Sequence, residues 1–254
     1  MKLSLKDVCY SVGSLEILKE VNIELQSGTC SIVLGPNGAG KSTLMKVASG
    51  YARPTFGEVR LNEIPFDSIH LMQRSRRLGV LTQKTSLDFP FTAEEVVAMG
   101  RTPYGVSGLD VAAKAVIDAL GIDGKRVYTQ LSGGEKQLVQ LARVFSQVWE
   151  QGSNACLLLD EPMTALDLYH QKDVVTILKK FSSEGTSQLI VMHDINMAAE
   201  IADIIYLMSD GKIVGTGLPT EVLSSEALEK TFQVPVKVLN NRNERFYKTI
   251  ISQI

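Results

Sequence analysis

Leu3 and Leu5, and later Val21, Ile23 and Leu25, alternate with polar residues, the two-residue period of a strand buried on one face. Residues 29–34, TCSIVL, form a short apolar run instead, suited to a strand covered on both faces. The period becomes helical at Leu44, Val47 and Ala48. From about 84 to 150 the pattern is mostly helical. Pro90 and Pro103 bracket a short helix over 92–100, and a second helix runs from about 109 to 120. A third carries Leu138, Leu141, Ala142, Phe145, Val148 and Trp149 on one buried face. Strands then alternate with helices: CLLLD (156–160), a helix near 168–182, QLIVM (188–192), a helix near 195–202, and IIYLM (204–208). That alternation predicts a parallel sheet. Asp210-Gly211 marks a hairpin turn into KIVGTG, and the tail from 219 reads as a short helical segment followed by VPVKVL and FYKTII. The expectation is one α/β domain over 1–254, with its core from 1–83 and 151–254. A helical subdomain is inserted at about 84–150.

Composition narrows the classes. Of 254 residues, 44% are hydrophobic and 21% charged, which excludes disordered, collagenous and coiled-coil chains. Lys and Arg number 26 against 28 Asp and Glu, a net charge of −2, so no electrostatic footprint for nucleic acid stands out. No apolar run is long enough to span a bilayer, and MKLSLKDVCY lacks the apolar stretch of a secretion signal, so a cytosolic chain is expected. Cys9, Cys30 and Cys156 are odd in number and far apart, and they read as buried thiols rather than a zinc site or disulfides. His70, His170 and His193 show no metal-ligand spacing.

Chemistry concentrates in three short stretches. Between the TCSIVL strand and the helix at Leu44 lies GPNGAGKST, matching G-x-x-x-x-G-K-[ST] in full. In such a loop, formed by Gly35, Pro36, Asn37, Gly38, Ala39 and Gly40, the backbone N–H groups of the residues other than Pro36 turn toward phosphate oxygens at a positive helix end. Lys41 reaches the β- and γ-phosphates, Ser42 ligates Mg²⁺, and Thr43 offers another donor. The second stretch is Leu157-Leu158-Leu159-Asp160-Glu161, a buried strand ending in two carboxylates, with Pro162 fixing the exit. Asp160 suits the metal and Glu161 the attacking water. The third is Leu131-Ser132-Gly133-Gly134-Glu135, in which Ser132 caps a helix whose N-terminal end favours an anion.

Together these motifs resemble the nucleotide-binding subunit of an ABC transporter, and the resemblance runs over essentially the whole chain. It implies a P-loop NTPase fold of the ABC ATPase type, with an N-terminal antiparallel β region beside the parallel core. It also implies two copies packed head to tail, each ATP lying between one copy's phosphate loop and the other's Ser132-Gly133-Gly134. Residue by residue, Tyr10 resembles the aromatic that stacks on adenine. Gln83 resembles the glutamine that touches magnesium and the attacking water. Asp167 resembles the aspartate at the dimer seam, and His193 the histidine close to the γ-phosphate and Glu161. Glu135 stands where glutamine is commoner, and Met163 where threonine is commoner; neither departure removes a catalytic group.

A single nucleotide unit must borrow separate transmembrane permease subunits, and with them, indirectly, a periplasmic substrate-binding protein. That arrangement is typical of bacterial importers and places the chain at the cytoplasmic face of the inner membrane. LTQKTSLDFPFTAEEVVAMGRTPY (81–104) resembles importers of iron siderophores, cobalamin and haem. QVWEQGSNACLLLDEPMTALDLYHQ (147–171) is most similar to haem-importer ATPases. The permease, not this subunit, sets the cargo, so His70, His170 and Cys9 are poor haem ligands. The segment after Gln83 should receive the permease, with Phe89, Phe91 and Met99 either as contacts or as core of the helical insertion. The competing classes are a soluble ABC ATPase acting on ribosomes or DNA, which would carry a second nucleotide unit or a long coiled coil, and a P-loop kinase, which would not need LSGGE.

Overall fold

The structure is a computed structural model that describes residues 1–83, 87–239 and 248–250. The chain begins with β1 (Leu3–Val12), β2 (Leu15–Leu25) and β3 (Cys30–Leu34), then α1 (Lys41–Ala48), β4 (Phe56–Leu61) and the two-residue β5 (Ile64–Pro65). After these come α2 (Leu71–Arg77), β6 (Leu78–Leu81), α3 (Ala93–Ala98), α4 (Val111–Ala119) and α5 (Gly133–Val148). The sheet resumes with β7 (Cys156–Asp160), α6 (Leu168–Ser183), β8 (Ser187–Val191), α7 (Ile195–Ile201), β9 (Ile204–Ser209) and β10 (Lys212–Gly217). The tail holds α8 (Pro219–Val222), α9 (Ser225–Phe232), β11 (Lys237–Leu239) and β12 (Lys248–Ile250). Of the FYKTII stretch, only 248–250 lies within the described residues.

The central sheet has six strands in the order β10-β9-β3-β8-β7-β6, all parallel except the β9–β10 hairpin. That hairpin turns at Asp210 and Gly211, both at positive φ (49° and 81°), as a tight turn of matching twist requires. A second sheet, β2-β1-β4-β5, is antiparallel throughout.

The continuous apolar runs of β3, β7 and β8 follow from burial on both faces. Val33, Leu158, Leu189 and Val191 join Leu18, Leu25, Leu44 and Val47 in a core between the two sheets and α1. Ile32, Leu34, Leu157, Leu159 and Ile190 face the other way and pack with Phe145 of α5 and Phe181 of α6. This second core passes without a break into the helical segment, because α5 belongs to both. Val144 and Val148 press on Gly79 of β6, where an added Cβ would lie 3.1 and 3.2 Å from their methyls. On its other side α5 meets α3 and α4.

The expectation of one buried face on α5 is therefore corrected. Val139, Gln140, Val144 and Ser146 are buried as well. The two polar ones are satisfied: Gln140 Nε2 donates to Tyr128 Oη at 3.0 Å, and Ser146 Oγ to the Val97 carbonyl at 3.0 Å. Three smaller corrections follow. The helix expected over 92–100 is α-helical only to Ala98 and continues as a 3-10 turn to Tyr104, with Pro103 inside it. The sequence does not announce α2, because it has no apolar period and none of its residues is buried. Cys30 and Cys156 are buried, but Cys9 is only half-buried, because β1 is bulged there between Val8 and Tyr10. Burial pushes both the Cys30 and Cys156 thiols up to about 12, so they are inert.

Candidate active site

Sheet order assembles the site. Parallel strands put all their C-terminal ends on one edge, where ligands of open α/β sheets bind. The phosphate loop leaves β3 at Gly35, and His193 lies just past β8. Asp160 ends β7 with Glu161 next, and Gln83 lies just past β6. The order β3-β8-β7-β6 sets these four groups side by side.

In the loop, Gly35 is obligatory, since a Cβ there would stand 2.1 Å from the Met208 carbonyl oxygen. Gly40 takes φ 102° directly before α1, and its missing Cβ leaves room for the Ile17 carbonyl and the Leu18 side chain of β2. Asn37 and Gly38 form the exposed crown, while Ala39 is buried and Pro36 and Thr43 half-buried. Lys41 is 6% exposed and its Nζ donates to the Gly35 and Pro36 carbonyls at 2.7 and 2.8 Å. Burial lowers its pKa, opposed by the charges of Glu161 and Asp160. Tyr10 pairs with Leu18 across β1 and β2 and packs partly against the inter-sheet core, which sets it one strand from Gly40.

Asp160 is 4% exposed. Burial raises its pKa; the Ser42 hydroxyl bond and the charges of Lys41 and His193 pull it back, while neighbouring Glu161 adds to the rise. Its Oδ1 is buried without a protein partner. A hard oxygen donor left unpaired beside the Ser42 hydroxyl fits a Mg²⁺ ion and its water.

Glu161 sits at φ 52°, a left-handed conformation that costs a non-glycine residue roughly 1–2 kcal/mol. The strain is held by its N–H, which donates to the Val191 carbonyl of β8 at 3.0 Å. Its carboxylate accepts from Gln83 Nε2 at 3.4 Å, lies 2.5 Å from His193 Nε2, and is reached by Thr164 Oγ1 at 3.4 Å. Three groups converging on one strained carboxylate orient it toward a cavity of about 250 Å³, lined also by Met163, Met192 and Asp194. Thr164 and the strain itself were missed from the sequence; the Glu-Pro pair at a strand end was the available signal.

The third motif stands apart. No hydrogen bond joins Ser132, Gly133 or Gly134 to the phosphate loop among the described residues. Ser132 caps α5, with its Oγ accepting from the Glu135 N–H at 3.3 Å and its own N–H donating to Glu135 Oε2 at 2.8 Å. Its two glycines differ. A Cβ on Gly134 would meet the Ala165 carbonyl oxygen at 2.6 Å, whereas one on Gly133 would meet nothing within 4 Å. Gly134 thus seats the helix against the segment after Glu161. Gln137, another residue the sequence did not flag, reinforces that seat by donating to the Pro162 carbonyl at 3.2 Å. Asp167 caps α6 through the His170 N–H and also contacts His170 Nδ1, both at 2.9 Å; these contacts lower its pKa.

Residues 18–164 match the ABC transporter family, so this chain is a member of that family, whose chemistry is ATP hydrolysis coupled to transport. The chain is 39% identical over 233 residues to the hemin import ATP-binding protein HmuV of Photobacterium damselae subsp. damselae, covering 90% of this chain and 88% of the relative. It is 41% identical to the HmuV of Hahella chejuensis over 230 residues, 88% of this chain and 89% of that one. Among solved structures, an ABC transporter described as metal-chelate type, in an inward-facing conformation, superposes with a TM-score of 0.78 at 25% identity, over 99% of this chain and 97% of the other. A dimeric bacterial ABC transporter cassette superposes with a TM-score of 0.73 at 27% identity, over 85% of this chain and 98% of that one.

Proposed function

We propose that this chain powers haem import as the ATP-hydrolysing subunit of a bacterial ABC importer, at the cytoplasmic face of the inner membrane. The observation that carries the enzymatic part is the strained Glu161 carboxylate held by His193 and Gln83 beside Lys41, Asp160 and Ser42. In this reading the loop amides from Gly35 to Thr43, with Lys41, bind the ATP phosphates, and Tyr10 stacks on the adenine. Ser42, Asp160 and Gln83 hold Mg²⁺, which neutralises charge on the phosphates when bound. Glu161 takes a proton from water, and His193 and Gln83 keep it aimed. Ser132, Gly133 and Gly134 complete the cleft of a second copy, with Asp167 at the seam. Leu168 and Tyr169, 84% and 70% exposed directly after Asp167, supply apolar surface for that contact.

Permease subunits, serving a periplasmic binding protein, would dock beside Gln83. Residues 84–86 of that segment lie outside the described residues. Phe89 is 66% exposed, while Phe91 and Met99 are half-buried, so Phe89 is the freest of the three for contact. No helix among the described residues is long and apolar enough to cross a membrane. Haem as cargo is supported by the hemin-import relatives. A ferric siderophore or cobalamin is the second reading, favoured by likeness to the metal-chelate transporter.

Vesicles holding the complete complex should take up labelled haem rather than a labelled ferric siderophore; the reverse preference would overturn the cargo. In the same complex Glu161→Gln should bind ATP, accumulate as a dimer, and hydrolyse roughly 100-fold or more slower, the loss of a general base. Unchanged turnover would discard Glu161.

A further inference from the structure

A carboxylate in the first turn of α5 conflicts with a helix end that is to receive a nucleotide. Glu135 follows Gly134 directly, and its negative charge opposes any phosphate approaching the same amides. Here that charge is absorbed on both oxygens. Oε2 accepts the Ser132 N–H at 2.8 Å, and Oε1 forms an ion pair with Arg126 Nη1. The same contacts, the Ser132 N–H first among them, hold the Glu135 carboxyl down at about 2.

Arg126 is well placed for this. Its carbonyl accepts the Ala93 N–H at 2.9 Å, its own N–H donates to the Asp123 carbonyl at 3.3 Å, and neighbouring Val127 bridges Thr92. The backbone is thus tied to the start of α3, leaving the guanidinium to reach α5. Asp123 and His170 line the adjoining cavity of about 200 Å³. His170 is engaged by Asp167, so Arg126 is the cation that Glu135 contacts. The pair is half-exposed, 46% and 38%, and in open water such pairs contribute little. Its consequence comes when a second copy covers the helix end, where lower dielectric and excluded salt strengthen every charge.

We propose that Arg126 is a positioning residue for the Ser132-Gly133-Gly134 turn, cancelling the Glu135 charge so that a capping carboxylate can coexist with phosphate binding across the dimer. This rests on the reading of that turn as the trans half of the ATP site.

The test uses the full chain carrying Glu161→Gln, with ATP-driven dimerisation followed by analytical ultracentrifugation. Added Arg126→Met keeps the aliphatic stem but leaves Glu135 uncompensated. It should raise the dimer dissociation constant roughly fivefold or more, the size of one charge at a partly buried helix end, without changing ATP affinity of the monomer. Arg126→Lys, which keeps the charge, should recover most of the loss, and the control against misfolding is an unchanged Tm. Adding Glu135→Gln to Arg126→Met should restore dimerisation, because glutamine keeps the capping box without the charge. Undiminished dimerisation with Arg126→Met, or no rescue by Glu135→Gln, overturns the role of Arg126. If Ser132→Arg in the same background still dimerises normally, the trans-site reading itself fails, and the proposal with it.

Discussion

The two glycines of the α5 N-terminus offer a separation of fold from function. Gly134→Ala introduces a Cβ 2.6 Å from the Ala165 carbonyl oxygen, closer than carbon and oxygen can approach. Helix or segment must shift, and such overpacking costs about 1–3 kcal/mol. Alanine returns somewhat under 1 kcal/mol of helix propensity at this first-turn position. The net is a loss between a few tenths of a kcal/mol and about 2 kcal/mol, and at roughly 2–4 °C per kcal/mol for a chain of this size Tm should fall, by up to about 8 °C. Gly133→Ala enters open space, with nothing within 4 Å of its new Cβ. It gains about 0.4–1 kcal/mol from the reduced freedom of the unfolded chain, so Tm should rise by about 1–4 °C. Yet the added methyl stands where a partner's nucleotide would approach the amides, so ATP-driven dimerisation in the Glu161→Gln background should be lost. Calorimetry together with sedimentation distinguishes the two variants. A Gly134→Ala protein melting at or above the parent would refute the packing argument. A Gly133→Ala protein that closes normally would refute the open face as a docking site.

Asp160→Asn tests the buried carboxylate. Its folded pKa is raised, so the native state binds the extra proton and the ionised group costs stability above that pKa; the cost disappears as pH falls toward the ordinary value of 3.8. At pH 7 the variant should therefore gain about 1 kcal/mol, the scale of an imperfectly paired buried group, and the gain should vanish in acid. The same variant should lose the thermal protection that Mg²⁺ adds to ATP, and equal protection would remove Asp160 from the metal. Phe145→Ala addresses the shared core: the ring is fully buried, edge-on to Phe181 at 5.4 Å, and its loss should cost about 3–5 kcal/mol, read by denaturant titration. A cost under 1 kcal/mol would mean α5 does not unite the two regions.

What the sequence revealed and what it concealed divide along one physical line. Buried strands advertise themselves, because covering both faces demands unbroken apolar runs, and CSIVL and CLLLD were found close to their true bounds. Gln83, Asp160, Glu161 and His193 are legible for a related reason: each lies within two residues of a strand's C-terminal end. The helix α2 was illegible because LMQRSRR has no apolar stripe; none of its residues is buried, and it is held by a cap at His70. The burial of α5 beyond a single face was hidden by Gln140 and Ser146, polar residues whose partners come from elsewhere in the fold.

Glu161 and Glu135 show the same line drawn through the site. Both are legible in sequence as acids that close a motif. One proves to be strained, clamped by the backbone of β8 and oriented by residues 78 and 32 positions away. The other is neutralised by an arginine outside the motif. Motif spacing encodes which atoms can reach a phosphate, since a loop between strand and helix is a local object. It does not encode what fixes those atoms or offsets their charge, because that comes from tertiary contacts. Substitutions that preserve every motif can therefore still disable this cleft, and Arg126, Gln137 and Thr164 are the residues through which that would happen.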